Sequence, residues 1–127
     1  MNVVDSCGWL SYLLADGNRD FFEPVLIDRE QLLVPGVVIF EVTRRIIQLY
    51  SVEQANVVHR AMRSLSVVNL DADGMYAAAI SAQHHKLHMA DAIIWQTAQS
   101  HGAKLYTQDA ALKGLPGVVY RSTRGAS

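Results

Sequence analysis

The chain has 127 residues, half of them hydrophobic and 18% charged, with a formal net charge of −1. That length fits one domain, residues 1–127, around one core, and the charge balance excludes a bulk basic nucleic-acid binder while leaving room for a basic rim around an acidic pocket. A single cysteine rules out an internal disulfide and suits a reducing cytoplasm, and no apolar run approaches the roughly 20 residues of a membrane span.

In chain order, Asn2-Val3-Val4 reads as a short apolar strand that stops at Asp5. Ser6 to Leu14 reads as a helix capped by Asp5 or Ser6, with Trp9, Leu10, Leu13 and Leu14 at helical spacing. Cys7 reads as a small buried hydrophobe rather than a reactive thiol. Asp16-Gly17-Asn18 is a turn. Phe21 to Asp28 is expected to be helical with a break or start near Pro24, and Leu32-Leu33-Val34 is a second strand. Pro35 opens the next helix, about Gly36 to Tyr50, with Val38, Val42, Ile46 and Leu49 along one face and Glu41 on another stripe. Ser51-Val52-Glu53-Gln54 fits a capping box for a helix to about Ser64. Ser66 to Leu70 is a third strand. Asp71 caps a helix from about Ala72 to Gln83, rich in alanine and so expected to be closely packed.

His84 to His88 joins this helix to the next, Met89 to Ala98. Gly102 stands where a left-handed helix end favours glycine. Lys104 to Thr107 reads as a buried strand, followed by Asp109, a short helical turn and the strand Val118-Val119-Tyr120. Residues from about 121 to 127 read as a frayed tail, and no charged-then-apolar leader is expected at the start.

Short strands alternating with helices predict a three-layer α/β/α sandwich with a mainly parallel sheet. The strand at Asn2 is predicted to be central, being apolar throughout and so buried on both faces. Such sheets bind ligands beyond the carboxyl ends of their strands. Asp5 and Asp109 follow strand ends; Glu41 and Asp91 sit early in helices that have just left the same edge. Four acids distant in sequence can therefore converge. Crowded carboxylates repel one another strongly, and Mg²⁺ or Mn²⁺, which prefers hard oxygen ligands, removes that penalty.

The chemistry this pattern predicts is hydrolysis of a phosphodiester by a water that the metal acidifies. Asp5 and Asp91 are the expected principal ligands, Asp109 a further ligand or water-orienting group, and Glu41 a ligand or water positioner at a second site. Ser6 and Thr107 can hold a carboxylate or a ligand water through their hydroxyls. Each acid also has a plain structural reading: Asp5 as a helix cap, Asp91 as a first-turn acid favoured by the helix dipole, Asp109 as a turn residue, and Glu41 as a partner of Arg44 or Arg45. His84 and His88 offer a competing zinc pair if their helix runs on through them. Arg44, Arg45, Arg60, Arg63, Lys113 and Arg121 can contact phosphates or form a solvated face. Phe21, Phe22 and Trp9 are expected in the core.

Val4-Asp5-Ser6, Pro35 to Arg44 with Glu41, Met89-Ala90-Asp91-Ala92-Ile93-Ile94 and Leu105-Tyr106-Thr107-Gln108-Asp109 together resemble the motifs of PIN-domain nucleases. Their order and separations are similar to those of the small stand-alone members, the VapC-type toxins of prokaryotic toxin–antitoxin pairs. The resemblance spans nearly the whole chain, and the Ala-Asp-Ala and Thr-x-Asp pair is its most specific part. It implies an acidic quartet at Asp5, Glu41, Asp91 and Asp109, and Mg²⁺- or Mn²⁺-dependent cleavage of RNA. It also implies a homodimer and inhibition by a cognate antitoxin protein wrapped over the active-site groove, with operator DNA contacted through the antitoxin. Gln108 departs from the family, where that position is often basic or Asn. Arg44 and Arg45 are the substrate-binding candidates. The alternatives are a degenerate PIN domain that binds RNA or protein without cutting, a receiver-like phosphoacceptor, which would need an acidic neighbour for Asp5, and structure-specific DNA cleavage.

Overall fold

The computed structural model describes residues 1–123. Strand β1 (Asn2–Val4) places Val3 and Val4 in the core with no exposed surface, which a three-residue apolar strand achieves only in the middle of a covered sheet. It lies between β2 (Leu32–Pro35) and β4 (Lys104–Thr107). Strands β3 (Ser66–Val68) and β5 (Val118–Tyr120) form the edges, giving the order β3-β2-β1-β4-β5. Every pairing is parallel, so the mainly parallel sheet of the sequence reading is wholly parallel among the described residues.

Helices α1 (Ser6–Leu13), α2 (Arg19–Leu26), α3 (Gly36–Leu49) and α4 (Val52–Arg63) carry the chain from β1 through β2 to β3. Helices α5 (Ala72–His85) and α6 (Met89–Ser100) carry it back to β4. Right-handed crossovers running in opposite directions put the two groups on opposite faces of the sheet. The result is the predicted three-layer α/β/α sandwich. No helix among the described residues is long and apolar enough to cross a membrane.

The helix ends follow their local chemistry. Ser51 accepts the Gln54 N–H at 3.1 Å and Asp71 accepts the Gly74 N–H at 2.8 Å. Gly102 takes φ +60° just past α6, a conformation that an L side chain would strain. Gly8 has a different role: a Cβ there would meet the Phe22 ring and Val4 Cγ1, each at 2.6 Å, so α1 packs against α2 and β1 at a separation that only glycine permits. That close approach seats the start of α1 over the end of β1.

The local details refine these expectations in four places. The helix expected over Phe21–Asp28 begins at Arg19, ends at Leu26 and runs through Pro24. Burial of Phe22, Val25 and Leu26 outweighs the one backbone bond that a proline forfeits. Leu49 stays 43% exposed, because a 14-residue helix, roughly 21 Å long, overhangs a four-residue strand of roughly 13 Å. The alanine-rich α5 runs on to His85 and packs against α6 rather than the sheet. Only Ala78 is fully covered, and Met75, Tyr76 and Ile80 face outward. The predicted tail lies partly outside the described residues. Its first part is anchored: Arg121 N–H donates to the Thr107 carbonyl at 3.1 Å, and Asn18 Nδ2 donates to the Ser122 carbonyl at 2.9 Å.

Gly8→Ala gains about 1 kcal/mol of helix propensity but forces overpacking that costs about 1–3 kcal/mol. The expected net result is a thermal midpoint several degrees lower by calorimetry; an unchanged or higher midpoint would show that the α1–α2–β1 contact is not tight.

Candidate metal centre

The site grows from the end of β1. Asp5 follows Val4 directly, its N–H donates to the Tyr106 carbonyl at 3.0 Å, and only 2% of its surface is exposed. One carboxylate oxygen, Oδ1, accepts the Ser6 N–H at 2.7 Å, so Asp5 caps α1 as its structural reading requires. The other, Oδ2, accepts the Thr107 hydroxyl at 2.7 Å and the Cys7 thiol at 3.4 Å. Thr107 ends β4, which pairs with β1. Its Oγ1 also accepts the Asp109 N–H at 2.9 Å, so one hydroxyl ties two acids to the same strand edge.

Asp109 caps the short 3-10 turn Ala110–Leu112 by accepting the Ala111 N–H at 2.9 Å. Asp91 lies in the first turn of α6. Carboxylate oxygens of Asp5, Asp91 and Asp109 all lie within 4.8 Å of one another, and this trio is the one His/Cys/Asp/Glu group of metal-binding geometry among the described residues. Glu41, on α3, stands beside the trio rather than within it. The Ser6 hydroxyl and the charges of Asp5 and Asp109 act on it, and its Oε1 is buried without a partner. Neither Arg44 nor Arg45 pairs with Glu41; the two ion pairs among the described residues are Arg19–Glu23 and Arg121–Asp20.

Three acids are pushed above the ordinary carboxylate range. Burial is the main cause for Asp5, and the Thr107, Cys7 and Ser6 hydrogen bonds only partly offset it. Burial again leads for Glu41, with the repulsion of Asp5 and Asp109 added. Asp91 rises to about 7, first through burial and then through the charges of Asp5 and Asp109, its hydrogen bond to Asp109 and the charge of Glu41. An all-oxygen donor set with uncompensated negative charge and an orphaned carboxylate oxygen fits a hard divalent cation. Asp5, Asp91 and Asp109 are the residues that could hold one.

The other candidates fall elsewhere. Lys86 takes a left-handed conformation (φ 57°) and ends α5, so His84 and His88 do not share a helical face. His84 instead packs edge-on against His85, and His85 against Trp95. Arg44 and Arg45 are exposed on α3, Arg45 reaching Gln48 Oε1 at 3.4 Å. Phe22 and Trp9 are core, while Phe21 is half-buried against Tyr106. By sequence alone Cys7 is a packing residue. Its thiol sits on Asp5 and 3.6 Å from Thr107 Oγ1, and burial and the Asp5 charge push it up to about 12, so it is a neutral donor. Its position two residues after Asp5 was the available signal. Asn18, a turn residue by sequence, is buried, and its Nδ2 donates to Gln108 Oε1 at 2.9 Å, bracing the loop that leads to Asp109.

Among curated proteins, none matches by sequence. Solved structures do match. A toxin–antitoxin complex from Klebsiella pneumoniae superposes with a TM-score of 0.76 at 23% identity, covering 94% of this chain and 96% of that one. A DNA-bound VapBC from Salmonella typhimurium gives 0.73 at 14% identity over 97% and 99%. VapC20 of Mycobacterium tuberculosis, a sarcin-ricin loop cleaving toxin, gives 0.72 at 17% over 93% and 98%. At these identities the likeness is one of fold. The PIN domain family model matches residues 3–118, which takes in Asp5, Glu41, Asp91 and Asp109, and on that match the chain belongs to the PIN domain family.

Proposed function

We propose that this protein is a VapC-type toxin, a Mg²⁺- or Mn²⁺-dependent endoribonuclease held in check by a cognate antitoxin. The observation that carries the reading is the convergence of Asp5, Asp91 and Asp109 oxygens within 4.8 Å, with no Lys or Arg pairing to them among the described residues. The structural neighbours that are toxin–antitoxin complexes support the antitoxin partner, and the RNA-cleaving toxin among them supports the RNA substrate. Cytoplasmic location, homodimer formation and operator binding through the antitoxin belong to the same proposal. The intact trio gives no support to a non-catalytic, binding-only PIN domain.

In this reading Asp5, Asp91 and Asp109 hold the cation, and Glu41 positions a water with its unpartnered Oε1. The chemistry such an ion supplies when bound is acidification of the attacking water and neutralisation of charge on the phosphate. Thr107 keeps Asp5 and Asp109 in register, and Ser6 spans Asp5 and Glu41. Cys7 adds a neutral donor to Asp5 without competing as an anionic ligand.

Asp5→Ala and Asp91→Ala are each expected to reduce RNA cleavage at least about 100-fold, and to relieve growth inhibition when the protein is produced without an antitoxin. Cleavage at the parent rate in both variants, or equal rates with and without Mg²⁺, would end the enzymatic claim.

The raised carboxyls also make metal-free stability depend on pH. A carboxyl whose folded value lies above its unfolded one stabilises the fold below the unfolded value, and that contribution is lost as pH rises through the folded value. For Asp91 the window runs from 3.8 to about 7. Asp91 is partly exposed, so solvent screening limits its share of the loss to about 1–2 kcal/mol. The metal-free protein should therefore melt several degrees lower at pH 8 than at pH 5.5. Mn²⁺ should restore the midpoint at pH 8, and Asp91→Asn should raise the metal-free midpoint there while blunting the Mn²⁺ effect. A midpoint insensitive to Mn²⁺ at pH 8 would show that the acids hold no cation.

A further inference from the structure

A hollow lined by four acids repels a polyanion, so an RNA strand needs cations placed close to it. The site's edge on the β5 side supplies two. Tyr120 is the register partner of Thr107, the residue that holds Asp5 and Asp109, and Arg121 comes next, its N–H donating to the Thr107 carbonyl at 3.1 Å. The Arg121 guanidinium lies 4.6 Å over the Phe21 ring, and Phe21 packs in turn against Tyr106 of β4. Its carboxylate partner, Asp20, is 3.7 Å away with 82% of its side chain exposed, a contact open to water that contributes little and that a phosphate can displace. Lys113 ends the turn that Asp109 begins. Its ammonium lies 5.4 Å over the Tyr120 ring, and among the described residues no carboxylate pairs with it.

We propose that Lys113 and Arg121 form the substrate-binding flank of the centre, gripping the phosphates of an RNA strand as it leaves the acidic hollow across the ends of β4 and β5. Both cations rest on aromatic faces fixed by the sheet and α2, so ordering them on binding costs less than ordering free side chains. Arg44 and Arg45, the candidates from sequence, have no such tie to the strand ends. The proposal rests on the ribonuclease reading and specifies where that site holds its substrate.

The test is steady-state cleavage of a single-stranded RNA by the full chain with Mn²⁺, as a function of salt, for Lys113→Gln, Arg121→Gln, Arg121→Lys and the double glutamine variant. Each glutamine variant should raise KM about 5- to 10-fold, well beyond any change in kcat. Each should also flatten the slope of log affinity against log salt by about 0.7. Arg121→Lys should recover most of both effects, and the Mn²⁺ concentration for half-maximal rate should stay at the parent value. Lys113 is exposed, so its variant tests the flank even if Arg121→Gln disturbs folding. If the parent cleaves RNA but the double variant keeps the parent KM and salt slope, the flank is elsewhere and the proposal is overturned. A fall in kcat with a shifted Mn²⁺ requirement and an unchanged KM would overturn it equally, by assigning these residues to the metal centre. No cleavage by the parent would instead overturn the ribonuclease reading, and the flank with it.

Discussion

The central constraint in this molecule is electrostatic: carboxylates from three separate elements are packed so closely that they cannot all carry charge unaided. Asp5 is almost wholly buried, oxygens of Asp5, Asp91 and Asp109 lie within 4.8 Å of one another, and Glu41 adds its charge from α3. A fold shaped for stability alone would avoid that crowding or neutralise it with a lysine or arginine. Here the nearby stabilising groups are neutral donors: backbone N–H groups, the Thr107 hydroxyl, the Ser6 hydroxyl and the Cys7 thiol. Such donors orient the oxygens without cancelling their charge, and so keep the hollow receptive to a cation.

Parallel topology makes this arrangement achievable. Because β1 is central and all its neighbours run the same way, the exits of β1, β2 and β4 lie along one edge. Asp5 and Asp109 arrive there directly from strands, and the helices that begin near that edge bring Glu41 and Asp91 within reach. Thr107 supplies the cross-brace: a single hydroxyl joins the acid after β1 to the acid after β4. Gly8 lets α1 sit close enough for the start of that helix to cap on Asp5. The same edge continues to β5, whose end carries Arg121, hydrogen-bonded through its backbone to Thr107.

Membership of the PIN domain family fixes the scaffold, while the likeness to toxin–antitoxin structures is carried by backbone shape at identities of 23% and below.

The alternation of strands and helices, the central place of the first strand and the caps at Ser51 and Asp71 are legible along the chain, because apolar periodicity and capping chemistry are local. So are all four acids, since strand ends and first helical turns are recognisable along the chain. Where local rules compete with packing, the sequence misled: Pro24 did not break its helix. Only tertiary structure decided that three acids form a tight group while Glu41 stands beside it, and that Cys7 and Asn18 support the centre. Only tertiary structure set Lys113 and Arg121 on aromatic faces at its flank. Each of these depends on distances between residues up to about a hundred positions apart, as for Cys7 and Thr107. Such distances are set by how strands pair and helices cross the sheet, not by any pattern within one segment.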